Sequence, residues 1–119
     1  MLYSKEHVWV REEEEGVRIG LSDFAQNELG ELTFIELPNP GSHFDADDVM
    51  CSIDSLKAAS DIYAPLSGTV LKVNESLNGD GASRINSDPL GDGWILTMKP
   101  DNEAYRAELL SAADYEKYT

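Results

Sequence analysis

Residues 60–73, SDIYAPLSGTVLKV, set two runs of strand length on either side of the turn PLSG, and the same punctuation recurs along the chain. Proline removes a backbone donor and glycine opens backbone angles closed to other residues, so each such break stops a strand or turns it back. HVWV (7–10) and VRIGL (17–21) flank REEEEG, a like-charged tip ending in Gly16 that suits an exposed hairpin loop. ELTFIEL (31–37) alternates Leu32, Phe34 and Glu36 against Thr33, Ile35 and Leu37, which predicts a strand with apolar groups on both faces, stopped by PNPG. VMCSID (49–54), SDIYAP (60–65), GTVLKV (68–73) and GWILTMK (93–99) are also of strand length, while 74–93 is rich in Gly, Ser, Asn and Asp and reads as a surface loop. Many short strands between turn signals predict a mainly β fold, a compact barrel or sandwich. With 119 residues, one domain over 1–119 can bury a core without disulfide staples.

Helix signals are few. SDFAQNELG offers Ser22 as an N-cap and Gly30 as a stop, which predicts a short helix near 22–29. NEAYRAELL, with Asn102 as a cap, and SAADYEKYT, where Ser111 is followed three residues on by Asp114, predict a helical C-terminus of two short helices or one bent one.

Acidic side chains outnumber basic ones 23 to 9, a net charge of −14. Such a field repels phosphate backbones and anionic lipid and attracts basic protein surfaces, so no nucleic acid and no membrane is expected as a partner. Cys51 is the one cysteine, which forbids an internal disulfide and fits a reducing compartment. No run has signal-peptide or membrane-spanning length, and a soluble cytoplasmic protein is the expectation.

Catalytic constellations are missing. His7 and His43 have no metal-ligand spacing, no G-x-S-x-G or phosphate-binding loop is present, and Asp80, Asp88 and Asp92 do not follow a calcium-loop register. Cys51, in an alternating strand, reads as a small buried thiol rather than a nucleophile.

One lysine stands out. In DSLKAASD, Lys57 lies between Leu56 and Ala58 with Asp54 and Asp61 on either side. It can be an ordinary solvated lysine, or a lysine displayed for modification. Its acidic neighbours favour the charged form, the opposite of what a self-activated Schiff-base lysine needs. A lysine acylated by a separate enzyme needs only exposure and a fixed position. MCSID and SDIYA run up to and away from SLKA, which places Lys57 at a hairpin tip, although the turn lacks the Asn-Gly or Gly-X of a two-residue loop.

These residues resemble the H protein family of the glycine cleavage system, whose attachment site typically reads Glu-Ser-Val-Lys-Ala-Ala-Ser-Asp. The similarity extends over YSKEHVWV, IGLSDFAQNELGEL, FIELPNPG, IYAPLSGTVLKVNESL, INSDPLGDGW and LLSAADYEKY, nearly the whole chain. The resemblance implies a flattened β barrel or sandwich of the biotinyl/lipoyl carrier type, with lipoate attached as an amide to Lys57 and with Asp54 and Asp61 as flanking recognition and arm contacts. It implies a carrier that catalyses no step itself. A pyridoxal-phosphate glycine decarboxylase would load an aminomethyl group onto the lipoyl arm. A folate-dependent aminomethyltransferase would take the one-carbon unit, and a flavin dihydrolipoamide dehydrogenase would reoxidise the arm. A lipoate ligase or a lipoyl/octanoyl transferase would attach lipoate, and a monomer is expected.

Some positions depart from the family pattern. Asp54 replaces the usual Glu and keeps the carboxylate. Val8 stands where the family has Glu in His-Glu-Trp, a residue that helps hold the amine-bearing arm in a surface cleft, so one counter-charge is expected to be lost. Arg84 and Leu90 replace an apolar and an aromatic residue. Rival readings are a biotinyl carrier, whose lysine is framed by methionines where this chain has Leu56 and Ala58, and a lipoyl module of another complex, normally joined to an Ala/Pro-rich linker that these residues lack. A lipoate depot supplying other enzymes and an unmodified acidic interaction domain complete the set.

Overall fold

The computed structural model describes residues 1–119 and places ten strands in two antiparallel sheets. The strands are β1 (Leu2–Tyr3), β2 (Val8–Glu13), β3 (Gly16–Leu21), β4 (Leu32–Glu36), β5 (His43–Phe44), β6 (Val49–Ser55), β7 (Ala59–Tyr63), β8 (Gly68–Val73), β9 (Leu96–Pro100) and β10 (Leu110–Ser111). Seven of them form one sheet in the order β10-β1-β2-β3-β9-β8-β5, and β4-β6-β7 form the other. The inner faces meet in one core: Val8, Val10, Val17 and Ile19 from β2 and β3 and Leu96 and Met98 from β9 share it with Ile35, Ile53 and Ile62 of the smaller sheet. The molecule measures 36 × 34 × 23 Å, a flattened sandwich of the kind the strand pattern predicts. No helix is long and apolar enough to cross a membrane.

The β2–β3 hairpin closes between Glu13 and Gly16, so the acidic run supplies both the strand ends and the exposed tip. In β4 the expected strict alternation fails. A bulge between Leu32 and Phe34 inserts one residue, so Leu32 and Ile35 both reach the core while Phe34 turns out.

Helix α1 (Asp23–Leu29) begins and ends where expected. Ser22 Oγ accepts from the Ala25 amide at 3.1 Å, and Gly30 adopts φ 78°, ψ −156°, a region open only to glycine. Toward the C-terminus, α3 (Tyr105–Glu108) and α4 (Ala112–Tyr118) are separate helices, with the two-residue β10 between them. Ser111 caps α4 by accepting from the Asp114 amide at 3.2 Å. Asn102 does not cap α3: its side chain accepts from Ala104 N at 2.8 Å and closes a turn just before the helix.

Segment 74–93 is no mere surface loop. Helical turns at Glu75–Leu77 and Gly79–Ala82 lead into α2 (Ser83–Ser87), and Leu77, Ala82 and Ile85 are buried in the core. Apolar residues spaced through a polar run are what composition averages away. Asn86 on α2 donates to Gly30 O at 2.8 Å and accepts from Leu32 N at 2.9 Å, which fixes the passage from α1 into β4. The final long strand starts at Leu96 instead of Gly93, because Gly91, Gly93 and Trp94 close turns onto Asp88 and Gly91.

Candidate functional site

Lys57 sits at the tip of the β6–β7 hairpin. Asp54 pairs with Ala59, and Ser55 N donates to Ala58 O at 2.8 Å, leaving Leu56 and Lys57 as a two-residue loop. Neither has positive φ, so the turn is not of the primed type that Asn-Gly would form. The Ser55 side chain holds it instead: Oγ lies 3.3 Å from Lys57 N and 3.1 Å from both Ala58 N and Ala58 O. Leu56 N donates to Glu31 O at 3.0 Å and ties the tip to the segment entering β4. A hairpin held by both its own serine and a neighbouring strand is a rigid platform.

The lysine side chain is exposed and lies along Gly30, where an added Cβ would stand 3.3 Å from Lys57 Cε and 3.8 Å from Nζ. The glycine that ends α1 therefore also clears space for the lysine stem. Lys57 takes part in none of the four ion pairs of the protein. Asp54 and Asp61, the acidic flanks read from the sequence, do not pair with Nζ. Asp54 lies opposite Phe34, and Asp61 opposite Ser52, on the small sheet. No competing carboxylate needs to be displaced before the amine can react.

Asp61 belongs to a different feature. Between α1 and β7 runs a cleft of about 410 Å³ with an apolar floor of Leu21, Phe24, Leu29 and Ile53. Its acidic side chains are Glu6, Glu28 and Asp61. A hollow of about 480 Å³ lies elsewhere, beside Glu12–Glu15 and Arg106, but it is open and lined mostly by charged residues, with no continuous apolar floor. The cleft offers apolar surface for a methylene chain and carboxylates for a cation at its end.

His7 is a cleft residue that sequence reasoning weighed only as a metal ligand. It holds φ 70°, an uncommon conformation for a side-chain-bearing residue, and its carbonyl accepts from Ser22 N at 2.9 Å. Its Nδ1 lies 2.7 Å from the Tyr115 hydroxyl, which in turn lies 2.7 Å from Ser22 Oγ. The signal was a histidine beside a short loop, too common a pattern to read alone.

Val8 is fully buried in the main core, paired with Leu21, and does not line the cleft. The cleft carries three acidic side chains, Glu6, Glu28 and Asp61, and position 8 adds no charge to it. Arg84 is exposed on α2, and Leu90 is half-exposed, its carbonyl accepting from Arg11 at 3.3 Å. Cys51 is buried and its thiol is pushed up to about 12 by burial, which removes it as a nucleophile.

These residues fit an acyl arm on Nζ: a locked exposed amine, free of ion pairs, with an apolar acid-rimmed cleft on the adjoining strand. The family model described as "Glycine cleavage H-protein" matches residues 1–119. The chain is 49% identical over 115 residues to the glycine cleavage system H protein of Klebsiella pneumoniae, covering 96% of this chain and 88% of that one. It is 43% identical over 118 residues to that of Oceanobacillus iheyensis, covering 99% and 93%. A crystal structure of a glycine cleavage system H protein from Mycobacterium marinum superposes with a TM-score of 0.84 at 31% identity, over 98% of this chain and 93% of that one.

Proposed function

The chain belongs to the glycine cleavage H-protein family, and on that premise we propose that it carries lipoate as an amide on Lys57 and shuttles one-carbon units between the enzymes of glycine cleavage. As a member of that family it is a carrier component of the system and not a catalyst by itself. The observation that carries the assignment to Lys57 is its place on a serine-locked hairpin tip, exposed and outside every ion pair. Asp54 and Asp61 serve as recognition and arm contacts, Asp54 beside the tip and Asp61 farther along the same sheet face, where β7 borders the cleft.

Attached to Lys57, lipoate would supply a strained disulfide, a thiol–disulfide couple suited to carrying an aminomethyl unit between a pyridoxal-phosphate glycine decarboxylase and a folate-dependent aminomethyltransferase, with a flavin dihydrolipoamide dehydrogenase as its reoxidant. The chain's own residues set where that chemistry can occur. Ser55 and Glu31 O hold the tip, so a tethered group sweeps a defined volume and reaches each partner at high effective concentration. Leu21, Phe24 and Leu29 exclude water from a chain lying in the cleft, and Glu6, Glu28 and Asp61 favour a cationic end there. The net charge of −14 speeds encounter with basic faces of the partner enzymes in a salt-dependent way. We read the whole of 1–119 as one lipoyl-carrier domain, monomeric and cytoplasmic, modified by a lipoate ligase or a lipoyl/octanoyl transferase.

Peptide mass spectrometry on protein from the native host tests the reading. One lipoyl amide localised to Lys57 is the expected result. An unmodified Lys57 in cells where other lipoyl proteins are modified overturns it.

A further inference from the structure

The small sheet displays an aromatic side chain that the fold does not use. Phe34 is 48% exposed in the middle of β4, and Leu56 at the hairpin tip is 72% exposed. The bulge before Phe34 is what turns it out: Leu32 and Ile35 take the inward places on either side. Phe34 lies opposite Asp54 of β6, and Asp54 lies opposite Ala59 of β7, so ring, carboxylate and methyl form one row across the sheet. That row is the last before the turn that carries Lys57. The next row on that face is Glu36, Ser52 and Asp61. Between Arg18 and Lys72 the chain has no lysine or arginine other than Lys57 itself. An apolar anchor in an acidic surround, one residue pair from an amine, has the composition of an interface centre and its rim.

We propose that Phe34, with Asp54 and Leu56, is the surface on which the enzyme that acylates Lys57 docks, and that this partner presents an apolar pocket for the Phe34 ring bordered by basic side chains. The inference rests on the reading of Lys57 as the attachment lysine. Reach singles out this occupant. Unmodified, Nζ ends a single lysine side chain, so an acylating active site must descend onto the tip and cover what borders it. Once a long arm is attached, its reactive end works well away from the tip, and later partners have no need to cover Phe34. In the reaction the amide C–N bond forms as the acyl carbon's bond to the phosphate of its adenylate breaks, AMP leaves, and Nζ gives up a proton. Lipoate and ATP supply the adenylate.

The test uses the full apo chain at increasing concentration with a purified lipoate–protein ligase, lipoate and ATP, and reads initial rates of Lys57 acylation by intact mass. Phe34→Ser raises KM for the carrier about tenfold with kcat held within about twofold, and Phe34→Leu recovers most of the loss. Leu71→Ser, at a 40% exposed leucine on the other sheet, leaves both constants unchanged. The proposal is overturned if Phe34→Ser saturates at the wild-type concentration, or if Leu71→Ser loses as much. It is also overturned if Phe34→Ser acylates normally but its arm is reoxidised more slowly by dihydrolipoamide dehydrogenase, which assigns the row to a later partner. A wild-type chain that is never acylated sinks the carrier reading itself; a wild-type chain acylated normally beside an indifferent Phe34→Ser sinks only the docking surface.

Discussion

The Tyr115 hydroxyl stands 2.7 Å from Ser22 Oγ across 93 residues of sequence, and so binds the C-terminal helix to the residue that caps α1. The same oxygen is 2.7 Å from His7 Nδ1, and the Tyr115 ring stacks on Tyr3 at 4.3 Å with planes 5° apart. Ser22, His7 and α1 all border or support the cleft, which makes one phenol a brace for its wall. Tyr115→Phe keeps the stacking and removes the brace. A loss of about 1–2 kcal/mol is expected in urea unfolding, with faster amide exchange in α4 than in β2. Equal stability of the two proteins contradicts the role given to the hydroxyl.

Gly30 does two things that no other residue can do at once. Its backbone angles are open only to glycine, and the absent Cβ leaves the lane that the Lys57 stem follows. Gly30→Ala should cost about 1–3 kcal/mol. It should also shift the NMR resonances of the Lys57 side chain, a change that strain confined to the helix end does not produce.

Ser55 replaces turn chemistry that the hairpin otherwise lacks. In Ser55→Ala the amides of Lys57 and Ala58 lose their side-chain acceptor. The stability change is at the low end, about 0.5–1 kcal/mol, because the site is exposed. Hydrogen exchange is the sharper readout: those two amides should exchange faster while Ile53 and Ile62 do not.

His43 and Asp101 form an exposed ion pair at 2.7 Å that clips β5 to the segment after β9. The hydrogen bond to Asp101 holds the His43 pKa above its ordinary value against the opposing effect of desolvation, with help from the charges of Asp101, Asp45 and Asp48. A raised folded-state pKa means that the pair's stabilisation is complete below the unfolded value of about 6.5 and is lost as pH rises through the folded one. Asp101→Asn should therefore lower Tm at pH 5.5 and matter little at pH 9. A difference in Tm that grows with pH contradicts this assignment.

Much of the architecture was legible because it is written in local chemistry. Ser22 and Gly30 bound α1, Ser111 caps α4, and the strands around PLSG lie where period and punctuation put them, since caps and turns act over a few residues. What escaped has a common cause. Phe34 faces out because a bulge shifts the register of β4 against β6, and Leu77, Ala82 and Ile85 are core because the sheets leave a gap for them; both depend on a partner element distant in sequence. The make-up of the cleft, which the resemblance implied without its walls, escaped for the same reason: Glu6, Glu28 and Asp61 come from three separate parts of the chain.

The sequence by itself determined that the chain is an acidic β protein with one lysine set in a distinctive motif, and the family that motif and its flanks resemble. Only the tertiary structure decided how that lysine is displayed: freed from its neighbouring aspartates, laid along the glycine that ends α1, and locked by Ser55 and Glu31 O. The spacing of acids along a chain does not say which way strand pairing will aim them. In DSLKAASD the pleat and register of β6 and β7 put Asp54 and Asp61 on one face of the small sheet, two residues apart along each strand, and it is the packing of α1 beside β7 that makes Asp61 also a wall of the cleft, leaving Lys57 alone at the tip.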